Sequence, residues 1–374
     1  MASRKALIVG GTGPSGPCVV RGLLERGFET TVFHTGRHEV ADDAALASAL
    51  HLHGNPYDAD SIAATLGAQT FDVVVAAYGR TRLLARHLAG RCARLVAISG
   101  LPVYRGMIDR RQMRPTGLRI PAAETHPLVD GERDPPGSYP SIAIRQTEEE
   151  ILALHRERAF EATVVRLPWI YGPRDVLARE WSVVRRILDR RPWILVADDG
   201  LAIHARCAAR NAAALVLLAL DRSEVASGQI YHCADEQQQS VRQWVEAIAE
   251  CMGASLELRS IPGEIPSPGR QLAVSGGGLC PHSILDTTKA RTQLGYRDAI
   301  SAEDALRECV AWYVKNAAAM AGRSGLADAF DYAAEDRLLA AWEQAKSKLL
   351  AAAAPFAGIG RQRNPQTAKA HGAS

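Results

Sequence analysis

The residues best suited to chemistry stand at the start of the chain, in Gly10-Gly11-Thr12-Gly13-Pro14-Ser15-Gly16. Gly11, Gly13 and Gly16 satisfy G-x-G-x-x-G, and Gly10, Gly13 and Gly16 satisfy the wider G-x-x-G-x-x-G. Glycines let the main chain turn tightly and let a diphosphate approach it, while the free N–H groups and dipole of a helix start attract the charge. Such a turn works only between a strand and a helix. Ala6-Leu7-Ile8-Val9 is an apolar run suited to a buried parallel strand. Pro17, Leu23, Leu24 and Gly27 mark the first turn, apolar face and stop of a helix. A second strand, Thr30 to Phe33, follows at the spacing of a dinucleotide-binding unit.

That second strand runs into His34-Thr35-Gly36-Arg37. A site preferring NAD(H) places an acid near this point, to accept from the ribose hydroxyl and repel a 2′-phosphate. Positions 34 to 38 hold no acid and offer Arg37, so NADP(H) is favoured over NAD(H). The competing reading makes Arg37 a solvated loop cation.

The elements that must position these groups are legible further on. Ala41 to Leu50 reads as helical, His51 to Asp58 as a short strand and turn, Phe71 to Ala77 and Arg94 to Ser99 as buried strands, and Thr81 to Gly90 as the helix between them. Ser141 to Arg158 is a helix pattern, followed by a strand from Ala162 to Leu167. Further segments read as a helix over 180–190, a strand over 194–196, a helix over 211–221, a strand over 229–233 and a helix over 240–253. This alternation predicts an α/β fold with a Rossmann-type doubly wound parallel sheet, whose ligands lie beyond the carboxyl ends of the strands. Those ends are Gly10 to Gly16, His34 to Arg37, Asn55, Tyr78 to Arg82, and Ser99 to Tyr104, and the expected cofactor contacts are the glycine turn with His34, Thr35, Arg37, Asn55, Ala77, Tyr78 and Pro168. Residues 105 to 140, with Pro115, Pro121, Pro127, Pro135 and Pro136, form a long irregular excursion expected to wall the substrate pocket.

Composition narrows the function classes. The net charge is +3, and Arg361, Arg363 and Lys369 at the end of the chain account for it, so a nucleic-acid surface is not expected. No apolar run approaches a membrane span and the N-terminus has no signal-peptide pattern, which implies a cytoplasmic protein without a membrane partner. Seven scattered cysteines without metal-site spacing read as reduced thiols, and no metal is expected. Only six of the 44 basic residues are lysines, with none between Lys5 and Lys289.

Further motifs follow in order: Phe71-Asp72-Val73-Val74-Val75, Val103-Tyr104, Arg166-Leu167-Pro168-Trp169-Ile170-Tyr171-Gly172-Pro173, Gly228-Gln229-Ile230-Tyr231, Asp286-Thr287-Thr288-Lys289-Ala290-Arg291 and Leu294-Gly295-Tyr296. Together with the glycine turn they make the chain resemble the extended short-chain dehydrogenase/reductases, the NAD(P)-dependent epimerase/dehydratase group, over about residues 5 to 316. The resemblance implies a Rossmann domain over 1–168, with 203–233 returning to it. It also implies a smaller C-terminal substrate-binding lobe from 169–202 and 234–316. Beyond the family's end, a helical extension over 317–360 carries an apolar stripe packed on the body or a partner, and 361–374 is a disordered tail. The resemblance places Gly10, Gly13 and Gly16 at the diphosphate, Arg37 at the 2′-phosphate and Asn55 near the adenine.

The family's catalytic set, a Ser or Thr, a Tyr and a Lys four residues later, is degraded in this chain. The hydroxyl position falls on Gly100, with Ser99 one residue early and facing the other side of an extended strand. Tyr139 is followed four residues on by Ala143. Aligning Arg145 with the lysine, supported by Glu149, moves the tyrosine position to Ser141. A guanidinium is a poor proton relay. Either Tyr139 does the acid/base work with Arg145 beside it or another group does, a surface tyrosine in a proline-rich loop being the alternative for Tyr139; Ser99 and His204 are further catalytic candidates, His204 having a structural hydrogen-bonding role as its alternative. Asn211 is expected to cap the following helix, and Arg179-Glu180-Trp181 with Arg185-Arg186 to form either an anion site or an outer helix face.

The expected function is an NADP(H)-dependent oxidoreductase or epimerase acting on a small organic carbonyl or alcohol, with a homodimer as the one assembly entertained. Two alternatives are a cofactor-binding sensor or scaffold without turnover, and a non-redox isomerase or lyase using His204 as base.

Overall fold

A computed structural model describes residues 3–36, 43–77, 81–130, 139–272 and 282–357. Arg37, Tyr78, the side chain of Tyr139 and the tail from 361 lie outside the described residues. The chain divides into two units, Met1–Ala329 and Phe330–Ser374.

In the first unit, strands β1 (Arg4–Val9), β2 (Phe28–His34), β3 (Leu50–His53), β4 (Phe71–Ala76), β5 (Cys92–Gly100) and β6 (Glu161–Leu167) alternate with helices α1 (Gly16–Glu25), α2 (Ala44–Ala47), α3 (Ala59–Leu66), α4 (Arg82–His87) and α5 (Tyr139–Arg156). There follow β7 (Trp169–Tyr171), α6 (Trp181–Leu188), β8 (Trp193–Ala197), β9 (Ile203–His204), β10 (Arg206–Ala208), α7 (Ala209–Asp221), α8 (Ser223–Ala226) and β11 (Ile230–His232). Seven strands pair in parallel in the order β11-β6-β5-β4-β1-β2-β3. The order reverses direction between β1 and β4, which opens a crevice at their carboxyl ends.

The apolar runs of β1 and β4 have no polar alternation because both faces of the sheet are covered. Ala6, Ile8, Val73 and Val75 pack with Val20, Leu23, Leu215 and Val216 of α1 and α7. Leu7, Val9 and Val74 point the other way, onto Ile62, Leu84 and Ile151 of α3, α4 and α5. The helix expected over 41–50 is only the single turn of α2, because β3 starts at Leu50 and takes the end of that segment into the sheet.

The remainder of the first unit comprises β12 (Gln239–Ser240), α9 (Val241–Cys251), β13 (Glu257–Ile261), α10 (Thr288–Leu294), α11 (Ala302–Lys315) and α12 (Ala317–Ala321). Ser240 and Gln243 close a reciprocal capping box at the start of α9. Asn211, expected as a cap, instead lies inside α7, where its Nδ2 donates to Asp235 Oδ1 at 2.8 Å and its Oδ1 accepts from Ile300 N–H at 3.0 Å. The second unit contains α13 (Tyr332–Ala352). Among the described residues, no helix is long and apolar enough to cross a membrane.

A buried polar network ties the sheet's edge to the excursion after β5. Arg166 is 1% exposed and pairs with Glu148 of α5 at 2.6 Å. Ser99 donates to the same carboxylate. Arg166 also donates to the Tyr104 hydroxyl oxygen at 2.7 Å and to the Glu124 carbonyl at 3.0 Å. With its oxygen taken, Tyr104 gives its proton to His232 Nε2 at 2.5 Å, so His232 Nδ1 carries the hydrogen that reaches the Asp286 carbonyl at 3.0 Å. Burial pushes the His232 pKa down, in keeping with this neutral ring. Glu149, one residue along, pairs at the surface with Arg145.

Removing Glu148 strands a buried guanidinium, whereas removing Glu149 leaves a half-buried one that still donates to the Val129 carbonyl. Glu148→Ala is therefore expected to lower stability by about 3–5 kcal/mol. Glu149→Ala is expected to cost less than about 1 kcal/mol. Urea unfolding of the two variants in parallel measures the difference, and equal losses would contradict the inward placement of Glu148.

Candidate active site

The glycine turn is built by close contact. Gly10 and Gly11 have φ of 101° and 78°, a region that favours glycine. At Gly16 a Cβ would lie 1.8 Å from the Gly11 carbonyl oxygen, so only glycine lets α1 start against the end of β1. At Gly13 a Cβ would meet nothing within 4 Å. Ser15, at the start of α1, makes no side-chain cap, Pro17 occupies the first turn, and no acid stands there. The Gly16 N–H bonds back to the Gly13 carbonyl at 3.1 Å, and the positive end of α1 stands beside an open glycine backbone with no capping side chain and no acid in its first turn. That is the arrangement a diphosphate requires, and the residues present fit a dinucleotide.

A cavity of about 510 Å³ opens from this turn. Gly10 to Gly16, Ala77, Ile98 and Pro168 line it, with Trp169, Asp175, Val176 and Arg179 on the far side. Of the expected cofactor set, Gly10, Gly11, Thr12, Gly13, Pro14, Ser15, Gly16, Ala77 and Pro168 are in this wall. His34, Thr35 and Asn55 are not. His34 is buried and accepts from the Gly36 N–H at Nδ1 (3.2 Å), so its Nε2 carries the hydrogen and donates to His51 Nδ1 at 2.9 Å. His51 Nε2 in turn donates to the Leu46 carbonyl at 2.8 Å. Asn55 accepts from the Tyr57 N–H at 3.1 Å and shapes its own turn.

The expected catalytic residues are scattered. Ile98 faces the cavity, and Ser99, its neighbour on the strand, faces α5 and Glu148. Arg145 donates to the Val129 carbonyl at 2.6 Å and to Glu149 at 2.8 Å, and it does not line the cavity. One turn before Glu148 the inward position is held by Ile144, packed with Leu101, Val103 and Tyr104. The i,i+4 spacing of Arg145 and Glu149 reflects a surface pair. His204 is fully buried and stacked on Trp169 with ring centroids 5.7 Å apart. Burial, and then the nearby cations Arg206, His282 and Arg110, pull His204 down to about 3, so its ring is a weak base; it lies 3.3 Å from the Ser283 hydroxyl through Nδ1 and does not line the cavity. The excursion over 105–130 supplies none of the cavity's described lining, and packs instead through Tyr104, Met107 and Ala122 against Leu285. Arg186 is neither an anion site nor an outer face, being buried against Asp328 at 2.5 Å.

Sequence reasoning missed Asp175. It follows Gly172 (φ 146°) and Arg174 (φ 68°) in a sharply turned loop and is 5% exposed. Its Oδ1 accepts from the Leu177 N–H at 3.2 Å, and its Oδ2 has no hydrogen-bond partner among the described residues. Glu180, 4% exposed at the start of α6, accepts from Trp244 Nε1 at 3.3 Å through Oε1, and its Oε2 is likewise unpartnered. Burial pushes Asp175 up, and burial followed by the Asp175 charge pushes Glu180 up to about 7. Arg179 lies 3.8 Å above the Trp169 ring in the same wall.

No protein-family model matches the chain. A dTDP-glucose 4,6-dehydratase of Streptomyces niveus is 28% identical over 203 residues, which are 50% of this chain and 52% of that protein. The chain thus spans about half the length of the curated relative it matches. The UDP-glucose 4-epimerase of Thermotoga maritima, solved with UDP-glucose, superimposes with a TM-score of 0.67 at 20% identity, over 84% of this chain and 99% of that one. The dTDP-glucose 4,6-dehydratase of Bacillus anthracis, solved with NAD, gives 0.64 at 16% identity, over 84% and 97%. The chain has the fold of the extended short-chain dehydrogenase/reductases. Within this extended short-chain fold the cavity occupies the crevice at the β1/β4 switch, where a dinucleotide lies by the general rule for open parallel sheets.

Glu180 links the site to stability. An acid raised in the folded state stabilises below its unfolded pKa, and that contribution is lost as pH rises through the folded value. The rise from the ordinary 4.5 to about 7 corresponds to about 3 kcal/mol lost between those two pH values. Urea unfolding at pH 5 and pH 8 is expected to show this fall in the wild type and to show most of it removed in Glu180→Gln. Parallel pH dependence of the two proteins would contradict the burial of Glu180 as a strained acid.

Proposed function

We propose that the protein is an NAD(P)-dependent epimerase, dehydratase or oxidoreductase acting on a small carbonyl or alcohol, with a sugar nucleotide as the favoured substrate class. The observation that carries this reading is the uncapped start of α1, pressed on Gly11 at Gly16 and facing a cavity with an open glycine backbone. Gly10 to Gly16 would hold the diphosphate, and Ala77, Ile98, Leu167 and Pro168 would enclose the rest of the dinucleotide in an apolar wall. When bound, the dinucleotide supplies hydride acceptance and donation. The chain's own part is to orient it, exclude water and hold the proton that leaves or joins the substrate oxygen.

NADP(H) remains favoured over NAD(H). His34 stands at the end of β2 as a neutral ring engaged with His51 and Gly36, leaving no carboxylate there to repel a 2′-phosphate. The sugar-nucleotide preference is supported by the relatives: the dehydratase and epimerase above act on dTDP-glucose and UDP-glucose by their names. A second reading, a protein that holds the dinucleotide without turnover, is favoured by Ile144 in the inward position of α5 and by Arg145 being held at the surface.

Fluorescence titration with NADPH and NADH tests the first step, with tighter binding of NADPH expected. Gly16→Val must open the turn, and is expected to weaken that binding at least tenfold, about 1.4 kcal/mol. A panel of UDP-glucose, UDP-galactose and dTDP-glucose, followed by product chromatography, then separates the readings. Conversion of a panel sugar supports the enzyme, and binding without conversion supports the non-catalytic protein. A wild type that binds neither dinucleotide would remove both.

A further inference from the structure

We propose that Asp175 is the proton-transferring group of this cavity, acting on a hydroxyl or carbonyl oxygen of the substrate, with Glu180 behind it as a positioning residue. The inference rests on the dinucleotide-binding reading above and assigns the acid/base role that α5 does not fill among its described side chains.

The lining itself narrows the choice. Among the described residues of the wall, the ionisable side chains are Asp175 and Arg179. A guanidinium keeps its proton at any working pH, so Asp175 is the described wall group able to exchange one. Its geometry is that of an acid awaiting a partner. Oδ1 is committed to the Leu177 N–H, while Oδ2 is buried without a hydrogen bond. A buried carboxyl oxygen without a partner is rare in folded proteins, and a ligand hydroxyl would satisfy this one. Bonding between Oδ2 and a substrate O–H sets up the transfer. The substrate O–H bond breaks, a carboxyl O–H bond forms at Asp175, and the electron pair stays on the substrate oxygen. The reverse step returns the proton.

Glu180 tunes this exchange without touching the substrate. Two like charges in one low-dielectric site resist simultaneous ionisation, and the Asp175 charge accordingly raises Glu180. The charged groups acting on the pair are Arg179, Arg206 and Arg323. Tyr313 and Cys309 of α11 also face it, and burial followed by the Glu180 charge pushes both of them up, so they stay neutral. Arg206 lies 4.5 Å above the Trp244 ring and donates to the Gln239 carbonyl at 3.2 Å, so it sets the local potential while making no ion pair with Glu180 within 4.0 Å.

The full-length protein is compared with Asp175→Asn, which keeps the Oδ1 acceptor for Leu177, and with Glu180→Gln, which keeps the acceptor for Trp244. Difference infrared spectroscopy across pH 5 to 9 is expected to show a protonated-carboxyl band in the wild type. In both variants its midpoint should fall by about one pH unit or more, because removing one carboxyl relieves the other. NADPH affinity should stay within about twofold in both variants. On a panel sugar that turns over, Asp175→Asn should lower kcat about 100-fold or more with little change in KM. Glu180→Gln should keep most of kcat and move the acid limb of the pH profile downward. An unmoved infrared midpoint, a wild-type kcat in Asp175→Asn, or loss of NADPH binding in Asp175→Asn would each overturn the assignment. Where no panel sugar is converted, the infrared midpoints decide. Failure of the wild type to bind either dinucleotide sinks the dinucleotide reading, and the infrared midpoints then still decide on Asp175.

Discussion

The structure depends on one close approach of main chain to main chain. Where α1 begins, Gly16 sits so near the Gly11 carbonyl that any side chain would collide at 1.8 Å. That contact fixes the angle at which α1 leaves the sheet, and the angle brings its N-terminal N–H groups to the mouth of the β1/β4 crevice. A helix start with a capping side chain or an acid in its first turn would satisfy itself. Here neither is present, and the uncompensated positive end of the helix defines what the cavity can take: a group with negative charge and several acceptor oxygens. Chemistry and fold are therefore the same constraint seen from two sides.

The molecule treats its buried charges in two opposed ways. Around Arg166 the polar atoms are matched: the guanidinium meets a carboxylate, a phenol oxygen and a carbonyl, and Ser99 shares the same carboxylate. Such a network resists change and suits a joint between strands, α5 and the excursion. Around Asp175 and Glu180, each carboxyl keeps one oxygen without a hydrogen bond among the described residues. Both groups are equally hidden from solvent, so burial does not separate them. Satisfaction does, and of the unsatisfied pair Asp175 borders the cavity.

Much of the fold was legible because the physics is local. The runs Ala6 to Val9 and Val73 to Val75 lack polar alternation, which only a strand covered on both faces explains, and glycine types with proline spacing announce the phosphate turn. Even the outward turn of Ser99 followed from strand parity. Other features were not legible for equally definite reasons. Glu149 supports aligning Arg145 with the family's lysine by spacing, yet an i,i+4 pair stabilises a solvated helix face just as well, and nothing in the letters says that Glu148 is the residue turned inward. His204 looked like a base until its burial and cationic neighbours were known. Asp175 sits in a turn where aspartate is the default residue, so its role as a cavity wall carries no sequence signal.

The displacement of acid/base chemistry from α5 to the loop after β7 has a structural logic. Ile144 fills the inward position of α5 and joins an apolar cluster with Leu101, Val103 and Tyr104. A charged residue there would have to be desolvated among those side chains, while the nearest strong acid, Glu148, is already spent on Arg166. The loop after β7 faces no such competition. It approaches the cavity from the opposite wall, its positive-φ residues Gly172 and Arg174 turn the chain sharply, and Asp175 arrives with one oxygen held by its own backbone turn. A carboxyl oriented by its own loop needs no partner from α5. An Arg145 held away from the cavity and an Asp175 that borders it are thus compatible with a single cavity that still moves protons.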